Sequence, residues 1–257
     1  MAYIDILLKN NKEVYKWRNY IMIKKVDSVK FIYKGKAEID EIKNIKAVEY
    51  FKQLQQKTNL MHEEKMLLVS GFTKNRDEYI IELKEINFSY FMYAKKILNE
   101  DVRSMFSGAY IITKDKYLGC VLNYYYENEL EFENINLIGG ISDAKDIVDD
   151  IYSSVKTLKR EFKEEIGFDI DNNNWNIKLK FLKYPSDKNN PIDYSIGTIY
   201  EIKTSYTKEQ IEKMFEKAEH DIEIKKFVFF SKDDYKKIYE VEHKKRYLPE
   251  LFENIFR

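Results

Sequence analysis

The chain has 257 residues, and its 44 Lys and Arg residues balance 44 Asp and Glu residues, so the formal net charge is zero. This balance removes the usual bulk argument for nucleic-acid binding, although a local basic groove stays open, and the 44% of apolar residues excludes a disordered chain. A single cysteine, Cys120, excludes an intramolecular disulfide, and three His with one Cys cannot form a typical structural zinc site.

The N-terminal segment, residues 1–17, has no long apolar stretch followed by a small-residue cleavage site, so no signal peptide is predicted. No later stretch approaches the roughly 18–20 apolar residues of a membrane span. Disulfides are rare in reducing compartments, and a chain with a single cysteine fits such a compartment. We therefore expect a cytoplasmic protein with no membrane partner.

Residues 1–104 alternate between strand-like and helical patterns and are predicted to form an N-terminal α+β domain. The predicted strands are 29–33, 66–72 and 78–83, and the predicted helices are 37–57 and 90–99. No motif in this segment indicates a chemistry, so the sequence assigns it no role.

Residues 105–257 are predicted to form a second domain, and the fold class is mixed α/β (α+β). The predicted strands are 108–113, 117–123, 134–138, 177–184, 194–202 and 224–230, and the predicted helices are 147–166, 207–219, 231–241 and 247–256. Thr207 and Gln210 have the spacing of a capping box at a helix start. Gly167 ends the first of these helices.

The informative stretch is R-E-F-K-E-E-I-G-F at residues 160–168. On a helix, Glu161, Glu164 and Glu165 share one edge, next to an apolar stripe that would face the core. That predicted stripe contains Val148, Ile151, Val155, Leu158, Phe162 and Ile166. Three carboxylates so close repel one another unless a cation or an arginine joins them, and such oxygen ligands suit Mg²⁺ or Mn²⁺. The simpler alternative is a solvated acidic helix face.

A predicted strand ends in Gly139 and Gly140, and the helix that follows ends with the pattern R-E-apolar-x-E-E-x-G-apolar. This arrangement resembles the Nudix hydrolase family, whose signature is G-x5-E-x7-R-E-U-x-E-E-x-G-U, where U is a bulky apolar residue. Residues 160–168 match the second half in full. The first half departs, because counting back from Arg160 puts the family's Gly on Asp146 and its first Glu on Tyr152. An insertion of about six residues explains the shift, most simply as a helix extended by one to two turns.

The x5 spacing from Gly140 lands on Asp146. We interpret Asp146 and Asp150 as acids of the first helical turn, which the helix dipole favours there, rather than as ligands.

The resemblance covers residues 105–257 and implies a Nudix-type α/β/α sandwich with a mixed sheet. It also implies that Glu161, Glu164 and Glu165 hold Mg²⁺ or Mn²⁺, that the Gly140 carbonyl adds a ligand, and that Arg160 orients a Glu.

An acidic residue before the last sheet strand often supplies another ligand or the base in this family. Asp221 fits best here, with Glu219 or Glu223 as substitutes, and His220 is interpreted as a loop histidine.

The activity implied is hydrolysis of a diphosphate linkage in a nucleotide derivative, such as ADP-ribose, a dinucleotide or a nucleoside triphosphate. The alternatives are an enzyme that processes RNA 5′ ends or caps, which the balanced charge weighs against, and a non-catalytic nucleotide sensor with the same fold. A homodimer stays open by analogy.

No substrate-binding residue is assigned. The candidates for contact with the base are residues 124–126, Trp175 and Tyr194, and the basic run 242–246 is the candidate for the phosphates. The alternative for each is an ordinary place in the core or on the surface.

Overall fold

The computed structural model describes residues 21–57, 63–76, 78–127, 130–185, 195–220, 224–233 and 248–256. The first elements are β1 (Ile21–Lys25), β2 (Lys30–Lys36), α1 (Glu41–Lys57), β3 (Lys65–Asn75), β4 (Glu78–Asn87) and α2 (Phe88–Lys96). Next come β5 (Met105–Ile112), β6 (Leu118–Glu127), β7 (Leu130–Asn136), β8 (Ile138–Ile141), a 3₁₀ turn (Ala144–Asp146), β9 (Ile147–Val148) and β10 (Ile151–Tyr152). The last are α3 (Ser154–Ile166), β11 (Trp175–Pro185), β12 (Ile196–Thr204), α4 (Lys208–Phe215), β13 (Ile224–Phe230) and α5 (Leu248–Phe256).

A mixed sheet of eight strands organises the described part of the chain, with the main order β1–β11–β12–β5–β6–β13. β12 and β5 run parallel, and the other pairs along this path are antiparallel. β5 and β6 pair at Ile111 and Ile112, whereas β8 pairs with the earlier part of β5 and β7 with the later part of β6. Gly139 and Gly140 of β8 are therefore held by strand pairing with β5 rather than lying in a free loop.

Helices cover both faces of this sheet. Successive strand residues point to opposite faces. In β5, Ala109 and Ile111 pack in a core with side chains of α3 and α4, whereas Tyr110 packs in a second core with side chains of α5. β6 alternates in the same way between Val121 and Cys120. The predicted mixed α/β class, with helices on both sides of a mixed sheet, is confirmed.

A smaller sheet lies in the N-terminal part, in the order β2–β4–β3, with β2 parallel and β3 antiparallel to β4. The rings of Phe51 in α1 and Phe88 in α2 meet edge to face at 5.7 Å. The strands and helices predicted here are present, although the first helix begins at Glu41 rather than at residue 37. β1 had no sequence prediction, and it pairs with β11 in the larger sheet.

The two sheets share a hydrophobic core. Leu67 and Ile81 of the small sheet pack in one cluster with Met105 and Leu182 of the large one. The edge of β3 also bonds to the second part of the chain, where the Leu67 N–H donates to the Ser142 carbonyl at 2.9 Å. The division at residue 104 stays a prediction, and packing is continuous across it.

The predicted helix 147–166 is wrong in its first third. Residues 147–152 form the hairpin of β9 and β10, and the helix begins at Ser154. Asp149 and Asp150 adopt left-handed backbone angles, with φ of 51° and 60°, which build a tight turn and break a helix. Val148 and Ile151, predicted in the core stripe, are 47% and 70% exposed.

The other helical predictions differ less. The capping box at Thr207 and Gln210 is present, and the helix that follows ends at Phe215 rather than at residue 219. The final helix, α5, is present, and from residue 234 onward the predicted helix 231–241 lies outside the described residues. No helix among the described residues is long and apolar enough to cross a membrane.

Gly139→Ala should destabilise the fold by about 2–3 kcal/mol, because φ at Gly139 is +137° and a Cβ there would lie 2.1 Å from the Ser107 carbonyl oxygen. Gly35→Ala is the matched control, since Gly35 also has a positive φ (+78°) but a Cβ there meets no atom within 4 Å. Urea unfolding measures both. A smaller loss at residue 139 than at residue 35 would contradict the close pairing of β5 and β8.

Candidate active site

Helix α3 presents the acidic residues because its other side is fixed in the core. Leu158, Phe162 and Ile166 are each 0% exposed, as the predicted stripe requires. The helix ends at Gly167 in the left-handed conformation, φ 71°, where the Gly167 N–H donates to the Lys163 carbonyl at 3.1 Å. With this orientation fixed, the edge that carries Glu161, Glu164 and Glu165 faces β8 and the turn that follows it.

One guanidinium joins the acids. Arg160 Nη1 donates to Glu161 Oε1 at 2.6 Å and to Glu164 Oε2 at 2.8 Å. Its Nε and Nη2 reach the two carboxylate oxygens of Asp146, each at 3.1 Å, and Nη2 also donates to the Ile141 carbonyl at 3.0 Å. The arginine thus neutralises carboxylates that would otherwise repel one another.

The glycines of β8 lie directly beneath the acids. Glu165 Oε2 accepts the Gly139 N–H at 2.8 Å. The Glu161 carboxylate approaches so closely that a Cβ on Gly140 would lie 2.5 Å from its Oε2. Both halves of the motif that resembles the Nudix signature therefore meet, and glycine is the residue that leaves room for the contact.

Asp146 has a different role from the one predicted. It lies in the 3₁₀ turn before the hairpin, not in a helical turn, and it is 3% exposed. Its carboxylate accepts hydrogen bonds from Arg160, from the Thr157 hydroxyl at 2.8 Å and from the Asp143 N–H at 2.9 Å. The spacing from Gly140 already pointed to this position. Asp150, also predicted to begin the helix, lies in the exposed turn of the hairpin.

The insertion is thereby located. The Gly-x5-acid spacing from Gly140 to Asp146 is kept, and the six residues of the β9–β10 hairpin lie between Asp146 and the start of α3. The extra residues form a strand pair rather than added helical turns.

A buried hydroxyl network supports Asp146, and sequence analysis did not find it. Tyr152 Oη lies 2.6 Å from Ser142 Oγ and 3.2 Å from Thr157 Oγ1, and Thr157 continues the chain to Asp146. Burial raises the pKa of Tyr152 to about 12, so it remains a neutral hydroxyl. Single Ser, Thr and Tyr residues carry no motif, so their spacing gave no signal.

The electrostatics distinguish Glu161 from its neighbours. Burial raises the pKa of Glu161 from 4.5 to about 7, against the opposing effect of Arg160. Burial disfavours the charge of Arg160, but its hydrogen bond to Asp146 and the charge of Glu161 prevail and raise its pKa. The site therefore combines a permanent cation with a carboxyl group that exchanges a proton near neutral pH.

Several other predicted residues lie away from this cluster or outside the description. Asp221, Glu223, Tyr194 and residues 242–246 lie outside the described residues, as do the side chains of residues 124–126. His220 stacks on Phe215 at 3.9 Å, which agrees with a loop histidine, and Glu219 is exposed. Trp175 is 7% exposed in the core, 5.9 Å from Phe168, so it offers no stacking surface.

The acids are arranged around the arginine rather than around a metal position. Within the described ranges, no group of three or more His, Cys, Asp or Glu side chains is placed to hold a metal ion. Glu164 is 52% exposed and also lies 3.7 Å from Lys145 Nζ. Oxygen atoms that could bind a metal are present, and two of them, Glu161 Oε1 and Glu164 Oε2, accept hydrogen bonds from Arg160.

No protein-family model matches the sequence, and no curated protein matches it. Among solved structures, DR0079 from Deinococcus radiodurans is 16% identical with a TM-score of 0.44, covering 76% of this chain and 100% of that one. A Nudix-family hydrolase from Clostridium perfringens is 17% identical with a TM-score of 0.34, covering 60% and 99%. The Nudix domain of Shewanella oneidensis NrtR, in complex with ADP ribose, is 12% identical with a TM-score of 0.35, covering 65% and 98%. Similarities at this level carry no conclusion about activity.

Asp146→Ala should lower the free energy of unfolding by about 3 kcal/mol, because it leaves Arg160 partly buried without its main counter-charge. Asp101→Ala is the control, since Asp101 also binds an arginine, Arg103, through both oxygens but is itself 56% exposed. Its loss should cost less than about 1 kcal/mol. Equal losses, measured by urea unfolding with chelator, would contradict a buried clamp.

Glu161 should make stability depend on pH. Its pKa is about 7 in the folded chain against an ordinary 4.5, so its contribution is complete below about pH 4.5 and is lost as the pH rises through 7. The unfolding free energy of Glu161→Gln relative to wild type should therefore rise by roughly 1–3 kcal/mol between about pH 5 and 8. Urea unfolding in EDTA measures this difference, and a constant value would contradict it.

Proposed function

We propose that this chain is a divalent-metal-dependent Nudix pyrophosphohydrolase, which cleaves a diphosphate linkage in a nucleotide derivative. The supporting observation is the cluster in which Arg160 joins Asp146, Glu161 and Glu164 while Glu165 accepts the Gly139 N–H. The carboxyl groups of a solvated acidic helix face would be exposed to water. Here the side chain of Asp146 is only 3% exposed and that of Glu161 only 12% exposed, and both contact Arg160. Substrates of the ADP-ribose, dinucleotide and nucleoside triphosphate types all fit this proposal.

Mg²⁺ or Mn²⁺ is the proposed cofactor. Glu161, Glu164, Glu165 and the Gly140 carbonyl would hold it, because hard cations take carboxylate and carbonyl oxygens. The donor set fits in its chemistry, and Glu161 and Glu164 would have to exchange their contacts with Arg160 for the cation. The chemistry supplied by such a cation would be compensation of phosphate charge and activation of a water molecule.

The chain's own residues orient the carboxylates and hold a proton at Glu161. Arg160 remains charged and fixes the directions of the carboxylates, which limits their freedom before substrate arrives. Glu161 has a pKa of about 7 before any ligand binds, so binding of a cation to it would release a proton near neutral pH. Gly139 and Gly140 carry no side chains, which leaves room for the carboxylates of Glu161 and Glu165 beside the backbone.

The proposal also covers the location of the protein, the class of its substrate and its oligomeric state. A cytoplasmic location agrees with a single cysteine that is fully buried. A small nucleotide is favoured over RNA as the substrate, because the net charge of the chain is zero. Homodimer formation stays a prediction by analogy.

The test is turnover of a panel by the full chain in Mg²⁺ or Mn²⁺, with ADP-ribose, diadenosine tetraphosphate, the nucleoside triphosphates and 5′-capped RNA. Glu164→Gln and Glu165→Gln should each lower kcat by at least about 10²-fold, because each removes a charge from the group proposed to hold the cation. EDTA should abolish activity.

Glu49→Gln on the exposed face of α1 is the control and should behave as wild type. Turnover of capped RNA alone would favour 5′-end processing. Nucleotide binding without turnover would favour the sensor. Undiminished activity in both site variants would contradict the assignment of the acids.

A further inference from the structure

Three asparagine side chains share one face of strands β6 and β7. Asn123 and Asn134 are directly opposite in the antiparallel register, and Asn136 Nδ2 donates a hydrogen bond to Asn123 Oδ1. Asn136 is opposite Val121, which packs in the core beneath α3. Residues opposite each other point to the same face. These three side chains, called the amide cluster, therefore lie on the sheet face that carries the acidic helix.

Asn134 holds a polar atom that the fold does not use. The residue is 8% exposed, and its Oδ1 is buried without a hydrogen-bond partner in the described part of the chain. Such oxygens are rare, because the loss of their water contacts is not compensated. A leucine of similar size would avoid this cost, so folding alone does not explain an asparagine here.

The amide cluster lies close to the acidic site along the chain. Gly139 donates its N–H to Glu165, and Asn136 precedes Gly139 by three residues along β7 and β8. Because extended chain spans at most about 3.6 Å per residue, the Cα atoms of the two positions are no more than about 11 Å apart. A ligand with its charged group at the acids can therefore place its other end at the amides.

A ligand can also reach the orphan oxygen. Asn123 and Asn136 are half-buried rather than sealed, and Asn134 keeps a small exposed edge. The terminal torsion of an asparagine is broad and roughly two-fold, so a rotation of the amide can exchange the positions of Oδ1 and Nδ2.

We infer that the amide cluster binds the base of the nucleotide substrate and selects a base with an exocyclic amine, adenine above hypoxanthine. The inference rests on the proposed function. Oδ1 is an acceptor, so its missing partner is a hydrogen-bond donor, such as an N–H group. Asparagine pairs with adenine through two bonds, accepting from N6–H and donating to N7. On this edge hypoxanthine presents only the acceptors O6 and N7, so Oδ1 is left unpaired there.

The test compares kcat/KM of the full chain for ADP-ribose and inosine diphosphate ribose, and for ATP and ITP, in Mg²⁺. Wild type should favour the adenine member of whichever pair it hydrolyses by at least about tenfold, since a site built around a hydrogen bond rejects analogues that lack it. Asn134→Leu should bring the ratio close to one. It should also keep or raise the Tm, because it removes the unpaired oxygen, and this separates lost selectivity from misfolding.

Ser89→Ala is the matched control. Ser89 Oγ is the other buried side-chain oxygen without a partner in the described ranges, and it lies in α2 of the N-terminal part. Its replacement should leave the adenine preference unchanged. Equal turnover of both members of a pair by wild type would overturn the inference and leave the proposed hydrolase standing.

Hydrolysis of none of these four compounds, nor of any member of the wider panel above, would count against the proposed function instead. Calorimetric titration of the wild-type chain with α,β-methylene-ADP and its inosine analogue then decides the inference. Binding of the adenine compound at least tenfold more tightly supports it, and equal binding or no binding overturns it.

Discussion

The site depends on the charge balance around Arg160. Its guanidinium contacts carboxylates of three residues, and two of these, Asp146 and Glu161, are largely removed from water. Buried charges of one sign are stable only when a partner and further hydrogen bonds compensate for the lost hydration. The apolar side of α3, the turn that carries Asp146 and the glycines of β8 all meet this requirement, because they bring the acids to one arginine.

The N-terminal part of the chain, to which the sequence assigned no role, supports the turn that carries Asp146. The ring of Phe31 in β2 meets Tyr152 edge to face at 4.9 Å, and the Tyr152 hydroxyl belongs to the network that reaches Asp146. On the other side of this turn, the edge of β3 forms a bridge between Met66 and Asp143. The residues before the second predicted domain thus hold part of the acidic site in place.

Sequence patterns succeeded where local chemistry decides the structure. β13 has the predicted bounds, and the second half of α3 follows its apolar period to Gly167. They failed where the outcome depends on distant partners. Val148 and Ile151 fit the helical period by coincidence, while the left-handed turn at Asp149 and Asp150 sets their real structure. β1 could not be inferred, because its pairing depends on β11 far along the chain.

The same limits apply to the candidate site. The shared edge of the three glutamates follows from helix geometry, and their separation from the core stripe is readable from the sequence. The bond between Asp146 and Arg160 cannot be read from the sequence, because it depends on how the hairpin returns the chain to α3. The orphan oxygen of Asn134 is likewise invisible until the register of β6 and β7 is known.

The position of β1 has a consequence for the order of folding. The strands of the small sheet come from one continuous stretch, residues 30–87, so they can pair early during synthesis on the ribosome. Lys25 precedes that stretch and must wait for Phe181 before it finds its partner. Closing so long a loop is slow, since its entropy is lost before the contacts are gained. The first strand of the described residues therefore joins its sheet only after β11 has been made, and its unpaired edge needs protection from other chains until then.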